Sequence, residues 1–211
     1  YICKKTMDIF IYLFAALFSV LNPIGTVPIF VGLTQGYSAS ERSKTSLITS
    51  INVFVILLIS FFVGQYVLSF FGITITALRI AGGIIIASSG FSLLNGNFSK
   101  NKGINKKVQK EVETRQHIAL TPLAMPMLAG PGSISLLIAY YQELTETDAS
   151  ISTSEILFSC FAILAVAILI YLVLRSAHYL AKILGSSGIV AISRIIGFLT
   201  IAIGIQYIIS A

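Results

Sequence analysis

All five prolines of this 211-residue chain fall in two short apolar segments about a hundred residues apart. The first reads Leu21-Asn22-Pro23-Ile24-Gly25-Thr26-Val27-Pro28. The second reads Leu120-Thr121-Pro122-Leu123-Ala124-Met125-Pro126-Met127-Leu128-Ala129-Gly130-Pro131-Gly132, followed by Ser133. Proline lacks a backbone donor and clashes with the carbonyl four residues back, so each segment should interrupt a helix. In hydrocarbon such an interruption survives only where protein or a wet cavity satisfies the freed groups. Paired interruptions at matching places in two chain halves point to a transporter's binding site.

The composition says that the solvent is lipid. Hydrophobic residues make up 56% of the chain and charged residues 10%, and mean hydropathy is +0.92, well outside the range of a soluble domain. Uncharged stretches cover 9–40, 45–78, 80–99, 116–142, 156–174 and 195–211. A spanning helix needs roughly 20 apolar residues. Splitting 45–78 at Gly72 gives six expected spans, near 8–34, 45–70, 73–94, 118–141, 155–177 and 188–209. The runs are continuously apolar rather than alternating, which disfavours an outer-membrane barrel. The expected fold is an all-α membrane protein of six transmembrane helices, with helices 1 and 4 broken at their Pro/Gly segments. Cys3 and Cys160 are too few for a disulfide framework. Lys4, Lys5 and the apolar run after them lead straight into the Asn22-Pro23 break, so the run reads as a retained first helix rather than a signal peptide.

A net charge of +6 might suggest a nucleic-acid partner, but the positions of the charges exclude it. Loops alternate between two sides of the membrane. Arg42, Lys44, Lys100, Lys102, Lys106, Lys107, Lys110, Arg115, Arg175 and Lys182 share one side, against Lys4 and Lys5 on the other. The positive-inside rule puts the first set in the cytoplasm and both termini outside. The expected organisation is a first three-helix repeat over 1–95, a basic cytoplasmic linker over 96–117, and a second, inverted repeat over 118–211.

The halves match weakly in sequence. With a shift of 115 residues, Arg79 falls on Arg194, Ile80 on Ile195, Gly82 on Gly197 and Ala87 on Ala202. With a shift of 99, Leu21-Asn22-Pro23-Ile24-Gly25 falls on Leu120-Thr121-Pro122-Leu123-Ala124. Three spans per half is an odd number, so the second half must enter from the opposite face, as in an inverted-topology repeat.

Three segments carry a family resemblance. Asn22-Pro23-x-Gly25-x-x-Pro28, Leu78-Arg79-Ile80-Ala81-Gly82-Gly83 and Pro122-Leu123-Ala124-Met125-Pro126 with Ala129-Gly130-Pro131-Gly132-Ser133 resemble motifs of the MarC (SnatA-type) family. The resemblance covers essentially the whole chain. It implies a small bacterial inner-membrane transporter of neutral amino acids with six spans and broken first and fourth helices. The family pattern often has Asp where Asn22 stands here.

The breaks carry a physical argument of their own. A half-helix starting at the midplane exposes N–H groups and a positive dipole end that suit a carboxylate. One that stops there exposes carbonyls that suit an ammonium group or a cation. The expected substrate-binding residues are Asn22, Pro23, Gly25, Thr26, Thr121, Ala129, Gly130, Gly132 and Ser133, with Ser133 also a candidate cap. Pro28, Pro122, Pro126 and Pro131 shape the breaks. Arg79 and Arg194, about 10 Å inside their spans, read either as clamps on broken-helix carbonyls that gate the site or as chains snorkelling to the interface.

No Asp or Glu lies within an expected span, which removes an intramembrane carboxylate relay. Metal-site and enzyme signatures are missing, so no catalytic residue and no cofactor is expected. The expected function is a secondary transporter of small neutral amino acids, resembling glycine, alanine or serine, working by alternating access. Its partners are that substrate, the lipid bilayer and a coupling ion. The alternatives are an exporter or transporter of another small solute, or a channel or non-transporting membrane protein.

Overall fold

The computed structural model describes residues 2–95, 118–147 and 153–211. The expected linker at 96–117 lies outside them. The described residues are helical, with no strand among them. The elements are α1 (Ile2–Leu21), α2 (Pro23–Leu33), α3 (Ala39–Phe71), α4 (Ile75–Leu94), a π-helical segment (Ala119–Leu128), α5 (Pro131–Thr147), α6 (Thr153–Arg175) and α7 (Ala177–Ile209). Five stretches among the described residues are long and apolar enough to cross a bilayer: Met7–Val27, Ala39–Phe71, Thr76–Leu94, Thr153–Arg175 and Val190–Ile209.

Helix α3 outruns its expected span because its cap lies in polar sequence that hydropathy ignores. Ser38 and Glu41 form a capping box: Ser38 Oγ accepts from Glu41 N–H at 3.3 Å and Glu41 Oε2 from Ser38 N–H at 2.8 Å. That starts α3 at Ala39 rather than near 45. The division at Gly72 lies where expected. Gly72 turns left-handed, with φ 64, and Ile73 N–H reaches back to the Leu68 carbonyl at 3.0 Å, which ends the helix. Thr74 then caps α4 through Ala77 N–H. Helix α7 runs past its expected start at 188 and contains a non-helical Gly185, with φ 62 and ψ 175.

Packing interleaves the two ends of the chain. Helix α1 lies on α6, and α2 lies on α7. The π-helical segment lies on α3, and α5 lies on both α3 and α4. Helices α3 and α6 touch, and α4 with α7 forms the most extensive contact of all. The core joins Leu13, Leu17 and Phe30 to Leu57, Phe61 and Ile163. Apolar side chains such as Ile11, Ile59 and Phe198 also cover the outside, as a protein dissolved in hydrocarbon requires.

The α4–α7 seam brings backbone against backbone. A Cβ on Gly83 would fall 2.6 Å from the Gly204 carbonyl oxygen, and one on Gly90 would fall 2.7 Å from that of Gly197. Without a hydrophobic force between helices in lipid, close approach of this kind maximises dispersion contact.

A second link between distant segments repairs a proline. Pro23 has no N–H for the Ser19 carbonyl four residues back. The Thr200 hydroxyl on α7 supplies a donor at 3.1 Å, sharing its proton with the Ile196 carbonyl at 2.8 Å. The Ser19 hydroxyl lies 3.0 Å from the Thr200 hydroxyl oxygen. Thr200→Val keeps the shape and deletes the donor, so it should lower stability by about 1–2 kcal/mol. Thr200→Ser should not. Thermal unfolding in one detergent would compare them, and a valine variant as stable as the parent would mean that water already serves Ser19.

Candidate functional site

At Asn22 the chain leaves helical geometry for a single residue. Asn22 N–H still donates to the Phe18 carbonyl at 3.0 Å, but its φ of 44 and ψ of 65 are left-handed. Asparagine tolerates that region better than most residues. Pro23 then takes the first position of α2, where a missing N–H is harmless. Asn22 Oδ1 accepts from Gly25 N–H at 3.1 Å, and Thr26 Oγ1 donates to the Asn22 carbonyl at 3.2 Å. Asn22 is only 1% exposed and its Nδ2 has no partner. A buried amide donor left open in this way needs an explanation. Gly25 is what lets the carboxamide lie there, because a Cβ would meet Asn22 Nδ2 and fall 2.8 Å from Cγ.

The second interruption is longer. Pro122 has no N–H for the Ile118 carbonyl, and Leu123 N–H takes that carbonyl instead at 3.4 Å. Ala129 N–H likewise reaches back five residues, to Ala124, at 2.8 Å. Missing proline donors thus shift the register from α to π, the widened form common at functional sites. The turn at Ala129 and Gly130 ends it, and α5 begins at Pro131. Ser133 was a candidate cap, but its Oγ donates back to the Gly130 carbonyl at 2.9 Å. Among the described residues, no acceptor meets the N–H groups of Gly132 and Ser133 in the first turn of α5. Helix starts carry this positive end.

The start of α5 packs on α1 and α4. A Cβ on Gly132 would sit 3.6 Å from Val20, two residues before Asn22, and 3.0 Å from Ile86 on α4. Pro23, Gly25, Thr26, Ala129, Gly132 and Ser133 are buried with Asn22, while Gly130 is partly buried and Pro131 exposed. The side chains of Pro28, Thr121, Pro122 and Pro126 lie outside the described residues, although their backbones belong to α2 and the π-helical segment. A cleft of about 530 Å³ between α1 and α7 has Ser19 among its lining residues, one turn from Asn22, with Tyr12, Gln206 and Tyr207.

The arginines have different surroundings. Arg79 donates to the Ser210 carbonyl at 2.9 Å and pairs with Glu143 on α5 at 3.2 Å. It therefore ties the last carbonyls of α7, an end that is not a broken one, to α5. Arg194 is exposed and has no hydrogen-bond or ion-pair partner among the described residues. Three polar groups escaped the sequence reading. Glu155, expected at a span end, is 5% exposed in the first turn of α6. Tyr207 bonds the Leu136 carbonyl at 3.1 Å, and the Ser19–Thr200 link lies in the membrane interior. Only Ser19 had a sequence signal, its place four residues before a proline.

The family model of MarC family integral membrane proteins matches residues 7–211. The chain belongs to that family. Among the relatives of this MarC-family chain, a UPF0056 membrane protein of Buchnera aphidicola from Schizaphis graminum is 40% identical, over 95% of this chain and 90% of its own. The membrane protein YhcE of Escherichia coli K12 is 36% identical, over 93% of this chain and 88% of its own. The inner membrane protein MarC of Escherichia coli ATCC 8739 is 36% identical, over 92% and 89%. No solved structure matches the chain significantly.

Proposed function

We propose that this MarC-family chain is a secondary transporter of small neutral amino acids, holding its substrate where the two interruptions meet. The observation that carries the reading is the unpartnered, buried Asn22 amide on a helix against which α5, with unpaired N–H groups at its start, packs. Together they form a donor-rich, neutral cradle for a carboxylate. The Ser19 and Ala129 ends of the preceding segments offer carbonyls for an ammonium group. The crowding at Gly25 and Gly132 favours a small side chain, and the cleft between α1 and α7 supplies an approach.

The packing supports reading the chain as two inverted repeats. On this reading α1 with α2 is the first span, and the π-helical segment with α5 is the fourth. Exchanging the halves maps the packing onto itself: α1 on α6 becomes the π-helical segment on α3, and α2 on α7 becomes α5 on α4. The α3–α6 and α4–α7 contacts map onto themselves. The seam points the same way, because Gly83 opposite Gly204 and Gly90 opposite Gly197 centre near Ile86 and Ile201, a pair related by the 115-residue shift. The charge pattern orients both termini outside, with 96–117 in the cytoplasm. Alternating access follows if the closed cradle opens to each side in turn, Arg79 latching the outer side here and Arg194 engaging in the other state.

Uptake by proteoliposomes with labelled glycine, alanine and serine, with and without a pH gradient, tests the reading. Unlabelled glycine, alanine or serine should compete better than leucine or arginine. Competition led by bulky or charged amino acids would sink it.

A further inference from the structure

At the end of the bundle where α3 and α7 start and α6 stops, a groove between α3 and α6 runs into a basic rim. The groove encloses about 200 Å³, with Leu47, Ile51 and Phe54 on one wall and Leu164 and Ile168 on the other. Leu47, Ile51, Leu164 and Ile168 are exposed on the outer surface, where a bilayer would place acyl chains. Helical spacing continues each wall into polar residues: Lys44 one turn before Leu47, and Tyr171 then Arg175 after Ile168. The register that brings Ile51 to Ile168 and Phe54 to Leu164 sets Lys44 level with Arg175.

The rim is organised. Arg175 Nη1 donates to the Tyr171 hydroxyl at 2.7 Å, and its guanidinium lies 5.6 Å from that ring's centroid. The Ser43 side chain lies beside the same hydroxyl. Arg42 Nε is buried with no acceptor. Burial, then the charge of Arg42, holds His178 on α7 below its ordinary pKa. Among the described residues, no carboxylate pairs with Arg42, Lys44, Arg175 or Lys182. Among the described residues the rim carries more cations than acids, with Glu41 engaged in the α3 capping box, and the groove beneath it is apolar.

We propose that this groove binds one anionic phospholipid, with its phosphate on Arg175 and Lys44 and one acyl chain along Ile51 and Ile168. Basic pockets between spanning helices attract such headgroups, each cation adding to the attraction. A free phosphate would leave the apolar walls without a function, and a zwitterionic lipid would leave the rim unneutralised.

Native mass spectrometry of the full chain, released from micelles holding equal phosphatidylglycerol and phosphatidylcholine, tests the site. The parent should retain one phosphatidylglycerol in preference by roughly tenfold, and Arg175→Gln and Lys44→Gln should each reduce the preference about fivefold. Ile168→Trp, at a lipid-facing position that leaves the core intact, should weaken retention of both lipids by filling the groove. Millimolar inorganic phosphate should not displace the lipid. Equal retention of the two lipids by the parent, or unchanged preference in both charge variants, overturns the proposal. Displacement by phosphate alone would reduce it to a plain anion site and overturn it as well.

Discussion

Gly204→Val should leave little folded protein in the membrane. A Cβ at Gly204 would lie 2.6 Å from Ala87 N and 2.6 Å from the Gly83 carbonyl oxygen. Both are backbone atoms, so no rotamer change makes room and α4 must move away from α7. That seam is the largest helix contact in the bundle, and overpacking against fixed backbone costs about 3 kcal/mol or more. Gly32 is the control, since nothing lies within 4 Å of a Cβ placed there, and Gly32→Val should be tolerated. The yield of monodisperse protein after detergent extraction is the measurement. A Gly204→Val variant recovered like the parent would show that the seam yields more easily than its geometry implies.

Gly25→Ala should do the opposite, sparing the fold and removing the proposed transport. The added methyl meets the end of the Asn22 side chain rather than backbone, so the carboxamide swings away. The fold loses one cap, about 1 kcal/mol. Transport loses its one buried amide donor from the cradle, and uptake should fall more than about tenfold, since a hydrogen bond to a charged group contributes roughly 1.5–3 kcal/mol. Asn22→Ala should reproduce the transport defect. If Gly25→Ala transports normally at parental stability, the Asn22 amide does not touch substrate.

The places where the backbone departs from the α-helix were legible, because proline chemistry is local. Pro23 orphans one carbonyl and stops one helix whatever surrounds it. The Gly72 division was legible for the same reason, a left-handed residue being cheap only without a Cβ. The form of the second interruption was not. Whether Pro122 and Pro126 produce a kink or a π register depends on which later N–H claims the freed carbonyls, a choice made by packing. The true start of α3 was hidden because the Ser38–Glu41 capping box carries no hydropathy signal, whereas the expected start near 188 falls just past the kink at Gly185 inside α7. Arg79 was visible as a costly charge, but its partners, Glu143 and the Ser210 carbonyl, lie 64 and 131 residues away in sequence. Glu155 read as an exposed span end because burial at a helix start depends on what packs over it.

The bond between Thr200 and Ser19 spans 181 residues, and that distance is also a delay. At about 5–20 residues per second, Ser19 is added roughly ten to forty seconds before Thr200 exists. Throughout that interval the carbonyl orphaned by Pro23 lacks its donor on α7, although α6 is complete before Thr200 is added. Until Thr200 arrives, water or the insertion machinery has to serve that oxygen. Assembly of this chain is governed at its beginning by what is translated at its end.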